Sequence, residues 1–231
     1  MKTITSFIIC FIMFLQICFA NPAKKDTTVA DEIVATSFTT FNPILKGLAT
    51  NPVLKIKLEL PASVQQKSFK KIKININSSA VGEIQMIDIF STSTDEFSSV
   101  NLIGSVIPNK SSFYIPVKFN PNSGTTFIWL SVALKNDASV NNKIEVHCSK
   151  LIDELNHEID IKESSSSYAK LTGFAIRKIT DDSVNSYRIP GFVTTNKGTL
   201  IAVYDVRYNS SRDLPGNIDV GMCRSTDKGN T

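Results

Sequence analysis

Apolar and polar residues alternate with a period of two in several short stretches of the chain. In Leu54 to Leu60 every second residue is apolar, and the residues between are charged. Similar strand-like stretches are residues 71–76, 84–90, 113–119 and 126–134. Because successive side chains of a strand point to opposite faces of a sheet, this alternation predicts half-buried β-strands.

The spacing of these stretches indicates the fold of the first half of the chain. Turn-rich stretches such as residues 108–111 and 120–124 separate the strands, and no long amphipathic helix interrupts them. Many short strands with such turns predict an all-β domain, a β-sandwich of jelly-roll type, over about residues 30–150. Residues 31–51 have a mixed pattern, and residues 151–162 are compatible with a short helix or a last strand.

A run of serines divides the chain. Ser164 to Ser167 are all serine, which predicts a flexible joint. The strand-like stretches that follow are residues 171–179, 191–195, 199–207 and 218–224. We therefore predict a signal peptide at residues 1–20, a β-sandwich domain at 21–165 and a second domain from 166 to 231.

The first twenty residues have the composition of a secretory signal. A basic start at Met1-Lys2 precedes an apolar run from Ile4 to Phe19, and Ala20 provides a small residue at the cleavage point. A membrane anchor and a lipoprotein acylated at Cys18 are the alternatives. We expect a secreted, periplasmic or cell-surface protein with no membrane insertion after cleavage.

Composition excludes several classes of function. The formal net charge is +4, and the lysines are scattered, so no nucleic-acid partner is expected. Beyond the signal only Cys148 and Cys223 remain, in different predicted domains, and a disulfide between them is not favoured. The only histidines, His147 and His157, are too few for a His-based zinc site. We expect no metal and no cofactor.

The residues that indicate chemistry lie near the C-terminal end. Arg188-Ile189-Pro190 is followed by Tyr204-Asp205-Val206-Arg207, by Asp213 in a loop, and by Ser-x-Asp-x-Gly-x-Thr at Ser225 to Thr231. In this order and spacing the chain resembles the sialidase (neuraminidase) family, which carries an Arg-Ile-Pro motif and repeated Asp boxes. The resemblance implies an N-terminal β-sandwich followed by the start of a six-bladed β-propeller, of which only the first blade is present.

The resemblance also implies roles for three residues. Arg188 matches the first arginine that binds the sialic acid carboxylate, since a guanidinium grips a carboxylate through two parallel hydrogen bonds. Arg207 matches the arginine near the sugar's O4 group, and Asp213 matches the acid/base aspartate. A surface salt bridge for Arg188, a structural role for Arg207, and Asp205 or Asp219 as the acid remain alternatives. The Asp box is expected to be structural.

The implied function is that of an exo-α-sialidase, a retaining glycosidase that releases terminal sialic acid from glycoconjugates. Sialylated glycans are the expected partners of a monomeric chain. The tyrosine nucleophile, its glutamate partner and the remaining arginines come from later blades in the family, so we expect an incomplete and inactive fragment. The alternatives are a glycan-binding protein on a non-catalytic Asp-box propeller, and a sandwich that binds carbohydrate, with Trp129 either stacking on sugar rings or packing in the core.

Overall fold

The computed structural model describes residues 32–164, 169–179 and 181–229. The predicted signal peptide and most of the serine run therefore lie outside the described residues. The strands are β1 (Val34–Thr39), β2 (Ile44–Lys46), β3 (Pro52–Leu60), β4 (Phe69–Ile76), β5 (Ile84–Thr92), β6 (Leu102–Val106), β7 (Ser112–Phe119), β8 (Gly124–Leu134), β9 (Lys143–Ile144), β10 (Val146–Asp153), β11 (Glu158–Glu163), β12 (Lys170–Phe174), β13 (Ser186–Thr194), β14 (Leu200–Arg207) and β15 (Ile218–Ser225).

Nine strands form one sheet that folds over on itself into a sandwich. Their order is β6-β5-β8-β3-β1-β11-β10-β4-β7, and every pair is antiparallel except β1 with β11. The two end strands, β6 and β7, lie against each other. Their approach depends on Gly104, because a Cβ there would lie 2.5 Å from the Pro116 carbonyl oxygen. The predicted all-β fold is confirmed.

The alternating positions fill the interior of this sandwich. Along β7 exposed and buried residues alternate without exception, and Ile72, Ile74 and Ile76 of β4 are all buried. Ile56 of β3 and Ile128 of β8 belong to the same core. Each such side chain contributes about 1.5–3 kcal/mol when it is removed from water.

Two stretches whose secondary structure the sequence left undecided contain strands. Residues 31–51 contribute β1, where the small buried residues Ala35 and Ser37 take the core positions, so the sequence shows little alternation. Residues 151–162 form the end of β10 and most of β11 and no helix. The polar turn between these strands includes Asn156 at φ 68°.

A buried carboxylate closes this turn. Asp153 is 2% exposed, and its Oδ2 lies 2.6 Å from Lys67 Nζ and 2.9 Å from His157 Nδ1. Its Oδ1 accepts a hydrogen bond from the backbone N–H of His157 at 2.7 Å. Burial alone would raise the pKa of Asp153, but the hydrogen bonds from Lys67 and His157 outweigh it and hold the pKa well below its usual range.

Strand β12 connects the sandwich to the segment that follows. It pairs in parallel with β2 and antiparallel with β9. The amine of Lys170, which is buried, donates to the carbonyl oxygens of Thr40 and Asn42, and burial lowers the pKa of Lys170 to about 8. β12 lies after the predicted domain boundary at residue 165, whereas its partner strands β2 and β9 lie before that boundary. The domain division itself stays a prediction.

The last three strands form a separate antiparallel sheet, in which β14 lies between β13 and β15. Large apolar side chains such as Phe192, Val220 and Met222 remain exposed on it. None of the helical turns that the structure describes has the length and apolar character needed to cross a membrane. Cys148 and Cys223 are free thiols.

Candidate active site

Arg188, Arg207 and Asp213 lie together at one end of the three-stranded sheet. Arg188 is in β13, Arg207 ends β14, and Asp213 lies in the loop between β14 and β15. Asp213 Oδ1 is 2.8 Å from Arg207 Nη2 and 3.7 Å from Arg188 Nη1. The three residues that the sequence singled out therefore form one cluster of charges.

A β-bulge in the Arg-Ile-Pro motif shapes the strand beside Arg188. The pairing of β13 with β14 shifts register between Arg188 and Gly191, and Ile189 within the bulge has φ 52°. A β-branched residue rarely adopts a positive φ, and bulges often redirect side chains next to active sites. Pro190 lies inside β13, where the bulge tolerates its missing N–H.

The guanidinium of Arg188 is partly open to solvent. Its side chain is 43% exposed, and Nη1 donates to the carbonyl oxygen of Ser211 at 2.7 Å. Within the described part of the chain, neither Nε nor Nη2 of Arg188 has a hydrogen-bond partner. This edge has the two parallel N–H groups that a carboxylate binds.

Arg207 is in a different environment, because its side chain is only 3% exposed. Nη1 donates to the carbonyl oxygens of Ser211 at 2.8 Å and Arg212 at 2.7 Å, and Nη2 donates to Asp205 Oδ2 at 2.8 Å. The hydrogen bonds to Asp205 and then Asp213 raise the pKa of Arg207. Nε is buried without a hydrogen-bond partner among the described residues.

The Asp213 carboxyl is 77% exposed and paired with cations. The hydrogen bond from Arg207 lowers the pKa of Asp213, and the charges of Arg207 and Arg188 lower it further. Without a ligand, Asp213 is therefore an ionised carboxylate at neutral pH.

The two competing aspartates have other partners. Asp205 binds Arg207, and Asp219 accepts a hydrogen bond from the Tyr208 hydroxyl at 3.0 Å. Sequence reasoning considered Asp205 only as a rival for the role of the acid and missed its contact with Arg207. The sequence did indicate this contact, because Asp205 and Arg207 are two residues apart on a predicted strand and therefore lie on the same face of it.

A known protein family matches the part of the chain that precedes these residues. The family described as the N-terminal domain of BNR-repeat neuraminidase matches residues 30–154. The chain belongs to this family.

Two curated relatives also match parts of this chain. A sialidase of Bacteroides fragilis (strain YCH46) is 40% identical over 109 residues, which are 47% of this chain and 20% of that protein. An anhydrosialidase of Macrobdella decora is 40% identical over 47 residues, which are 20% of this chain and 6% of that protein. The matched parts are a fifth or less of these relatives.

A solved structure covers most of the chain. The Hadza microbial sialidase Hz136 superposes with a TM-score of 0.71 and 26% identity over 85% of this chain and 42% of that protein. A sandwich followed by the start of a propeller is thus the fold of this neuraminidase-family chain, as predicted. The roles of Arg188, Arg207 and Asp213 stay predictions.

The tyrosines of the sheet have partners of their own. Tyr204 accepts a hydrogen bond from Arg177 Nε at 2.8 Å and lies 3.2 Å from Cys223 Sγ. Tyr187 donates to the carbonyl oxygen of Asp181 at 2.9 Å. Tyr208 donates to Asp219, as described above.

The predicted Asp box begins as a side-chain-stabilised turn. Ser225 Oγ lies 2.6 Å from Asp227 Oδ1 and accepts the backbone N–H of Gly229 at 2.8 Å. Such bonds fix a turn through side chains, which is a structural role. Residues 230 and 231 lie outside the described residues.

Trp129 is part of a small aromatic cluster outside the main core. It is 7% exposed, its ring lies 5.8 Å from Phe97, and Lys55 Nζ lies 5.7 Å from its ring centroid. The indole N–H donates to Thr92 at 2.8 Å. Because the ring is covered, packing rather than sugar stacking is its role in this conformation.

Proposed function

We propose that this chain provides the first arginine of the carboxylate clamp and the proton donor of an exo-α-sialidase, a retaining glycosidase that releases terminal sialic acid from glycoconjugates. The observation that carries the proposal is the convergence of Arg188 and Asp213, 3.7 Å apart, with one edge of the Arg188 guanidinium unpaired in the described chain. The names of the related sialidases support the substrate class.

The chemistry of sialic acid fits an open guanidinium. This sugar carries a carboxylate on its anomeric carbon, beside the bond that is broken. Two parallel charge-assisted hydrogen bonds from Nε and Nη2 of Arg188 would fix both the position and the orientation of that carboxylate. Bound in this way, the glycosidic oxygen would be on the side of the Asp213 loop.

Asp213 must gain a proton before it can act as a general acid. In the free chain the cations around it favour the charged form. A bound sialic acid carboxylate would offset the charge of Arg188, and the glycan would exclude water from the Asp213 carboxyl. Both changes raise the pKa of a carboxylic acid, which prepares it to protonate the leaving oxygen.

We further propose that the protein is exported through its first twenty residues and acts as a monomer on sialylated glycans. The signal-like composition of residues 1–20 supports export.

The 231-residue chain alone is expected to turn over no sialoside. Sialidases use a tyrosine nucleophile, and the hydroxyls of Tyr187, Tyr204 and Tyr208 all have hydrogen-bond partners other than Arg188 and Asp213. The test is incubation with a fluorogenic sialoside, with the Asp213→Ala variant as control. Turnover by the wild-type chain above the level of that variant would contradict this expectation.

The clamp is tested in a chimera in which residues 32–229 of this chain replace the structurally matched part of the Hadza microbial sialidase. We expect the chimera to hydrolyse sialosides. Arg188→Lys should lower kcat/KM by about 10- to 100-fold, mainly through KM, because a lysine keeps the charge but loses the paired hydrogen bonds.

The matched control is Arg224→Lys, the same substitution at an exposed residue of β15. This variant should retain the activity of the chimera. A chimera with a native circular dichroism spectrum and no activity, or an Arg188→Lys variant as active as the control, would refute the proposal.

A further inference from the structure

The cleft that contains Asp213 has an apolar side as well as a charged one. Its volume is about 500 Å³, and its lining residues are Asp205, Arg207, Asp213, Ile189, Leu214 and Ile218. Ligand sites commonly combine such apolar surface with a few placed polar groups. The carboxylate clamp and the proton donor use only charged residues, so the apolar side is available for another part of the substrate.

Leu214 is the most exposed of the three apolar residues, at 78%. It is the only large aliphatic residue among residues 209–217, which are otherwise polar apart from Pro215 and Gly216. A single exposed leucine is ordinary on a protein surface, so its meaning depends on its position. This one directly follows the candidate proton donor and lines the same cleft.

The backbone on both sides of this leucine is held in place. Before it, the carbonyl oxygens of Ser211 and Arg212 accept hydrogen bonds from Arg207. After it, a Cβ at Gly216 would lie 3.6 Å from the side chain of Ile218, so the loop lies close to the start of β15. A contact made from a segment that is already ordered costs less entropy when a ligand binds.

The position of Leu214 next to Asp213 determines which part of a substrate it meets. A general acid has to lie within about 3.2 Å of the oxygen that it protonates, and consecutive Cα atoms are about 3.8 Å apart. The first sugar of the leaving glycan is bonded to that oxygen, so its ring comes within reach of the Leu214 side chain. A pyranose ring has a face of C–H groups, and a leucine that covers this face removes apolar surface from water.

Ile189 adds to the same apolar surface. It lies in the bulge of β13 with φ 52°, it is exposed, and it lines the cleft together with Leu214. This backbone conformation is costly for a β-branched residue, and such strain is concentrated at functional sites. Two exposed aliphatic side chains therefore lie at one cleft, beside the group that would protonate the leaving oxygen.

We propose that Leu214 is a specificity-determining residue, which contacts the C–H face of the first sugar of the leaving glycan, and that Ile189 belongs to the same contact surface. The inference rests on the proposed function, since it takes Asp213 as the group that meets the glycosidic oxygen. It adds a preference for saccharide leaving groups over small ones.

The test compares leaving groups in the chimera described above. Leu214→Ala should lower kcat/KM on a sialyl galactoside by about 5- to 10-fold, mainly by raising KM, because the contact exists before the reaction as well as during it. On a methyl sialoside, whose leaving group has a single carbon, the change should be less than about 2-fold. Methanol and a sugar hydroxyl are similarly poor leaving groups, so both substrates need the acid.

Two further variants complete the comparison. Leu214→Met keeps most of the apolar volume and should retain most of the activity on the galactoside. Leu155→Ala is the matched control, since it makes the same substitution at an exposed leucine in the turn between β10 and β11. It should match the parent chimera on both substrates.

The outcomes separate this inference from the proposed function. Equal losses of Leu214→Ala on both substrates would show that the loop acts on proton transfer, which overturns the inference and leaves the clamp and the proton donor intact. A loss on the galactoside no larger than that of Leu155→Ala, or a loss confined to an aryl sialoside, would also overturn it. If Asp213→Asn keeps full activity on both substrates, the proton-donor assignment fails, and the role of Leu214 fails with it.

Discussion

Asp213→Asn is expected to lower kcat of the chimera on a sialyl galactoside by about 10²- to 10⁴-fold, the range that a positioned general acid contributes. Asparagine is close to aspartate in size and can still accept a hydrogen bond from Arg207, but it has no proton to transfer. The loss should therefore appear in kcat with little change in KM, because the carboxylate clamp at Arg188 is untouched.

The measurement is steady-state kinetics on the galactoside and on an aryl sialoside. Asp219→Asn is the matched control, since it makes the same change on β15 at a carboxylate that contacts Tyr208. It should retain most of the activity. An Asp213→Asn chimera within a few fold of this control on the galactoside would refute the assignment of Asp213 as the acid.

Asp153→Ala is expected to lower the free energy of unfolding by about 3 kcal/mol, near the cost of breaking a buried ion pair. The substitution removes the carboxylate that Lys67 and His157 share and leaves the Lys67 ammonium, 24% exposed, without its acceptor. It also releases the backbone N–H of His157 at the turn between β10 and β11.

The contribution of Asp153 to the free energy of unfolding depends on pH, and the direction of this dependence follows from its pKa. The folded pKa of Asp153 lies below the ordinary value of 3.8, so its contribution is complete above that pH and is lost as the pH falls below it. Urea unfolding at neutral pH and below pH 3.8 should show the difference between wild type and Asp153→Ala shrinking in acid. Asp160→Ala, at an 81% exposed side chain, is the control and should change stability by less than about 0.5 kcal/mol. An equal effect of the two substitutions would contradict the prediction.

The sequence predicted those strands in which alternation and burial coincide. β4 and β7 each place apolar residues on one face, and the structure buries them as predicted. β1 escaped prediction because it is central in the sheet yet fills its core positions with Ala35 and Ser37. An alternating pattern is visible in the sequence only where the buried residues are large and apolar. The order of strands in a sheet depends instead on contacts between residues that are distant in sequence.

The sequence could predict which residues form the candidate site, but not the hydrogen bonds that join them. The order of Arg-Ile-Pro, Arg207 and Asp213 indicated which side chains to follow, through resemblance to a family. No sequence pattern predicted that Arg207 would be buried beneath its own loop, because that depends on where the carbonyl oxygens of Ser211 and Arg212 point. Backbone direction in a loop is a property of the folded chain.

The parallel pairing of β12 with β2 implies an order of events during folding. Thr172 pairs with Ile44 across more than a hundred intervening residues, so the entropy of closing that loop must be offset by contacts already made. The partners of β12 are β2 and β9, which lie between strands of the sandwich along the chain, so we expect them to be in place only once the sandwich has formed. We therefore expect the sandwich to fold first, as it leaves the ribosome, and then to template β12, the strand that precedes the last three-stranded sheet in the chain.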